Sequence, residues 1–91
     1  MEKVLFNSEE KRDRDQVAEF LRELAQKVEQ GRVLLRQGSN ETAVDIPAQL
    51  TLETKLEEET KGPSTKMSLE VELEWPKDAD QEGGDGDVKL G

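Results

Sequence analysis

The chain has no cysteine and no histidine. Without cysteine there is no disulfide framework, no thiolate nucleophile and no thiolate metal site, and nothing requires an oxidising compartment. Without histidine, the commonest general base near neutral pH and the commonest metal ligand are both missing. That argues against triad hydrolases, zinc enzymes and most acid–base catalysts. Apolar runs are short. None approaches the roughly 20 residues of a membrane-spanning helix, and Met1-Glu2-Lys3 followed by only Val4-Leu5-Phe6 does not make a signal peptide. Positive charge is scarce as well: 13 basic residues face 22 acids, a net charge of −9. Nucleic acid and anionic lipid need a basic face for counterion release, so both are disfavoured as partners. These absences together lead to the expectation of a soluble, cytoplasmic protein that is not an enzyme and holds no cofactor.

What is present fits one small domain, since 91 residues can bury a modest core without metal or disulfide support. The strongest pattern is Met67-Ser68-Leu69-Glu70-Val71-Glu72-Leu73-Glu74-Trp75, where apolar and polar residues alternate without a break. That is the two-residue period of a half-buried strand. Upstream, Asp13 followed by Gln16 makes a capping box that starts a helix at residue 13 or 14. Val17, Phe20, Leu21, Leu24, Ala25 and Val28 give that helix an apolar stripe, and Gly31 supplies a left-handed stop.

The rest reads as strands. Residues 2–8 carry a short β-favouring cluster around Val4 and Phe6, taken as a first strand. Residues 32–37 and 42–46 form a hairpin that sets Leu35 opposite Thr42 and Val33 opposite Val44. A last hairpin turns at Gly62-Pro63, where glycine can take the positive φ of a tight turn. This register sets Leu56 beside Leu69, Thr54 beside Val71, Leu52 beside Leu73 and Leu50 beside Trp75 on one face. On the other face it sets Lys55 against Glu70 and Glu59 against Lys66, with one poor pair, Glu53 against Glu72. A slip of one residue would place leucines opposite glutamates, so pattern and turn agree. The expected fold class is α+β in two layers, one helix packed on a mostly antiparallel five-stranded sheet of order β-α-β-β-β-β, with the last four strands in a meander. Leu69, Val71 and Leu73 would then turn inward beneath the helix.

Several separated pieces carry a family likeness. They are Glu2-Lys3-Val4-Leu5-Phe6 with Ser8-Glu9-Glu10-Lys11, the helix segment Val17-Ala18-Glu19-Phe20-Leu21-Arg22-Glu23-Leu24-Ala25, Gln37-Gly38, and the closing Leu69-Glu70-Val71-Glu72-Leu73-Glu74-Trp75. On these, residues 2–75 resemble the amphi-Trp domain family, small proteins with an amphipathic terminal strand ending in tryptophan. The resemblance implies no catalytic residues. It divides the chain into a domain over 1–75 and a tail over 76–91 whose glycines and acids predict disorder. In that tail Asp78, Asp80, Glu82 and Gly83 fall at calcium-loop spacing, but Lys89 stands where a bidentate glutamate belongs, so a solvated acidic tail is the expectation.

Two functional readings follow. In the first, the chain is a non-enzymatic protein-interaction or homo-oligomerisation module, such as a homodimer, making contact around Leu50 and Trp75. In the second it is an acidic regulator or nucleic-acid mimic, presenting Glu53, Glu57, Glu70, Glu72 and Glu74 to a basic site on a partner protein. A carboxylate row on an exposed sheet face is otherwise a solubilising surface, and a strand-end tryptophan is otherwise the rim of a core.

Overall fold

A computed structural model describes residues 1–79. The chain divides into two compact units, the first running from Met1 to Ile46 and the second beginning at Pro47.

In the first unit the helix α1 spans Arg14–Gln30, as the sequence predicts. Its start is fixed by a reciprocal cap. The Asp13 carboxylate accepts from the Gln16 N–H at 2.8 Å, and the Gln16 side-chain carbonyl accepts from the Asp13 N–H at 3.1 Å. Two orphan amides of the first turn are thereby satisfied. Its end is Gly31, at φ 89° and ψ 10°. The Gly31 N–H donates to the carbonyls of Lys27 and Val28, both at 3.0 Å, and its own carbonyl accepts from the Ile46 N–H at 2.9 Å. One residue thus closes the helix and ties it to the end of the hairpin that follows.

That hairpin pairs β1, Arg32–Gln37, with β2, Asn40–Asp45, in antiparallel register. Val33 opposes Val44 and Leu35 opposes Thr42, the expected pairs. Helix α1 packs on β1. Val33 and Ile46, 7% and 8% exposed, are the buried hydrophobic residues among those described, so the core of this unit is small. Leu24 and Val28 on the helix are half-buried, whereas Val17, Phe20 and Leu21 are exposed.

The second unit is a long hairpin. β3, Thr51–Lys61, pairs antiparallel with β4, Ser64–Glu74, each of 11 residues, through the turn Gly62-Pro63. The ladder holds Leu56 against Leu69, Thr54 against Val71, Leu52 against Leu73, Lys55 against Glu70 and Glu59 against Lys66, the register the sequence predicts.

Three expectations are corrected. Residues 2–8 form no strand: the chain is irregular up to the helix cap, and Val4 and Leu5 stay exposed. Three apolar residues next to a charged run offer too little burial to fix a ladder. The sheet is not five-stranded either, because the four strands form two separate antiparallel pairs. The meander is interrupted after Asp45, where Pro47 lacks an N–H and residues 46–50 carry no strand. Finally, Leu69 and Val71 are not turned inward but exposed, with Leu73 half-buried. Of the acidic tail, Pro76 to Ala79 are described and hold a turn in which the Ala79 N–H donates to the Pro76 carbonyl at 3.0 Å. The calcium-loop pattern and the disorder expected there lie otherwise outside the described residues.

Candidate functional site

The pleat of β3 and β4 sorts their side chains onto two faces, because opposite residues of an antiparallel pair share a face and neighbours along a strand do not. One face carries Leu52, Thr54 and Leu56 from β3 and Met67, Leu69, Val71 and Leu73 from β4. Leu52, Leu56, Met67, Leu69 and Val71 are between 57% and 72% exposed. A single Leu or Val in water is ordinary, but five on one face of one ribbon form a patch of the kind that marks contact surfaces.

The opposite face is acidic. Glu53, Glu57 and Glu59 of β3 share it with Glu70, Glu72 and Glu74 of β4, relieved by Lys55 and Lys66. Lys55 Nζ lies 3.9 Å from Glu70 Oε1. Glu53, Glu72 and Glu74 have no such relief, and their carboxylate oxygens gather within 4.8 Å of one another. The charge of Glu74, first, and then a hydrogen bond with Glu53 raise the pKa of Glu72 above its ordinary value. Like charges this close disfavour the ionised form. These three carboxylates are the described groups that could hold a cation, and all three are exposed. Of the five acids singled out in the sequence, the fold brings Glu53, Glu72 and Glu74 together. Glu70 is engaged with Lys55, and Glu57 stands opposite Ser68 further along the ribbon.

Leu50 and Trp75 lie just past the last rung, Thr51 against Glu74, and both are half-buried. With Gln49, Thr51, Glu74 and Pro76 they line an open cleft of about 650 Å³ at the base of the hairpin. The two residues expected at a contact surface thus border the same cleft. What sequence reasoning missed is that Leu52, Leu56, Met67, Leu69 and Val71 are exposed beside them. The alternation revealed their common face, but alternation alone reads the same whether a face is covered by the chain itself or left open.

These parts define a small α+β domain with one capped helix and two antiparallel strand pairs, the last of them amphipathic and ending in the chain's only tryptophan. A family model for the Amphi-Trp domain matches residues 1–91, and the chain belongs to that family. The match extends past residue 75, where the likeness read from the residues stops. No curated protein and no solved structure matches the chain.

Proposed function

We propose that this chain is a small non-enzymatic self-association module whose β3–β4 hairpin joins that of another copy. The observation that carries this reading is the exposed apolar face of a ribbon only two strands wide. A lone two-stranded hairpin is marginal in water, and added strands or a cover make it stable. Each large apolar side chain withdrawn from water contributes on the order of 1–2 kcal/mol when it starts about two-thirds exposed. Five on one face are a substantial drive to associate. The lack of histidine and cysteine supports a role without chemistry.

The test is the mass of the full chain in solution, by sedimentation velocity over a range of concentrations. The expected result is a dimer that the double substitution Leu69→Lys with Val71→Lys converts to monomer. Both side chains are mostly in water already, so circular dichroism of the variant should keep the helix signal, while the strand signal weakens as the ribbon loses its partner. A wild-type chain that stays monomeric at every concentration overturns the reading. A second reading rests on the gathered carboxylates of Glu53, Glu72 and Glu74: an acidic surface that occupies a basic site on another protein. It calls for a partner released by about 0.5 M salt, where screening is strong, whereas apolar self-association persists there.

A further inference from the structure

Resting on that self-association, the ribbon's two outer edges differ in how well they could receive a second copy. Both are unpaired among the described residues. Both strands run without proline, glycine or bulge through an unbroken ladder, so neither edge has the usual backbone device against strand addition. Charge separates them. If β3 met β3 of a second copy antiparallel over its full length, Thr51 against Lys61, then Glu53 would stand opposite Glu59 twice, offset by Lys55 opposite Glu57 twice. What counts against this pairing is Glu58, which opposes Met67 on the apolar face and would be carried into the joined face against Thr54. A charge on the face to be buried deters strand addition. The β3 edge is guarded.

The β4 edge is not. Over its full length, Ser64 against Glu74, an antiparallel β4–β4 pair would center on Leu69 opposite Leu69. Met67 would face Val71, Lys66 would face Glu72 and Ser68 would face Glu70, each pair twice by symmetry. No like charges oppose one another. Apolar residues meet apolar residues on one face, because this register keeps both copies' pleats in phase. A shift of two residues one way puts Glu70 opposite Glu70. The same shift the other way leaves Leu73 and Glu74 of both copies off the ladder. A shift of one residue either way sets apolar residues against polar or charged ones: Leu69 against Glu70 in one direction, Met67 against Glu70 and Val71 against Lys66 in the other.

We propose that two copies pair through the β4 edge in this register, giving a four-stranded antiparallel sheet of order β3-β4-β4-β3 about a two-fold axis at Leu69. An independent feature of the hairpin fits it. Glu72 sits between Glu53 and Glu74 without a counter-charge of its own, and the partner's Lys66 would arrive beside it. The guarded β3 edges end the sheet at four strands. An isologous contact of this kind closes on itself, whereas β4 adding to β3 of the next copy would run on as an open fibre.

Absence of native cysteine makes the geometry directly testable in the full chain. In this register two Leu69→Cys residues face each other across the axis with Cα atoms about 5 Å apart, within the roughly 4.4–6.8 Å that a disulfide spans. Two Ser64→Cys residues would lie about 34 Å apart, ten residues along the strand at about 3.4 Å each. Under mild oxidation Leu69→Cys should give the linked dimer and Ser64→Cys should not. In sedimentation, Glu72→Lys should weaken the dimer about fivefold by setting two lysine pairs face to face, and adding Lys66→Glu should restore it. Within its own hairpin Glu72→Lys faces Glu53, so a loss of dimer cannot be ascribed to a weakened ribbon. A wild-type dimer in which Leu69→Cys links no faster than Ser64→Cys, or in which Glu72→Lys has no effect, overturns this register while leaving self-association standing. A monomeric wild type overturns both.

Discussion

Replacing Gly31 by alanine tests the junction between helix and hairpin most directly. At φ 89° the backbone lies in the left-handed region, where an L side chain costs about 1–2 kcal/mol. A Cβ built there would lie 3.7 Å from the Ile46 carbonyl oxygen, ordinary van der Waals contact, so no collision adds to that figure. Alanine recovers part of the cost by restricting the unfolded chain, by about 0.4–1 kcal/mol. The net loss should be about 1 kcal/mol, or about 4–8 °C in midpoint for a domain of this size. If the residue instead relaxed out of the left-handed region, its N–H would forfeit the Lys27 and Val28 carbonyls and its carbonyl the Ile46 N–H, and the loss would exceed that. Urea titration followed by far-UV circular dichroism measures it. Gly31→Asn should cost less, because asparagine tolerates this region. D-alanine at the same position should cost nothing. An unchanged midpoint for Gly31→Ala, or a D-alanine variant as unstable as the L form, would refute the conformational argument.

The remaining expectations concern the cap, the core and the acid face. Asp13→Ala removes the acceptor of the Gln16 amide and should lower stability by about 1 kcal/mol, while Asp13→Asn keeps most of it; thermal melts compare the two. Ile46→Val shortens one of the two buried hydrophobic side chains of the first unit and should cost about 1 kcal/mol in the same assay. Glu72 titrates higher in the fold than in the unfolded chain, chiefly because of Glu74. Its ionised form therefore weakens the fold above the raised pKa, and the penalty is relieved as pH falls through that value. At concentrations low enough to keep the chain monomeric, Glu72→Gln should melt later than wild type at pH 7, with the difference gone below the ordinary value of 4.5. A gap that is constant with pH would contradict this.

Local structure was largely legible in the sequence because local signals set it. Asp13, Gln16 and Gly31 mark both ends of α1, and each acts through neighbours within a few residues. The register of β3 on β4 follows from Gly62-Pro63 and from leucines spaced by two, with every rung as expected. What failed is what needs longer reach. The cluster around Val4 and Phe6 has β-favouring residues but no partner strand, and propensity alone does not form a ladder. The meander expected to run on from β2 to β3 does not form, since Pro47 and the irregular stretch to Leu50 end the pairing there. At the candidate site, the place of Leu50 and Trp75 at one end of the hairpin and the gathering of Glu53 with Glu72 and Glu74 could be read from register. The exposure of Leu69 and Val71 could not, since it depends on what lies over a face and not on the face itself.

Trp75 stands at the mouth of the ribbon, half-buried beside Leu50, and the chain has no tyrosine. Its indole therefore dominates the near-ultraviolet emission of the whole polypeptide. Since the helix carries no such fluorophore, the colour of that light belongs to one end of one hairpin. Opening of that end reddens it even while α1 remains fully wound.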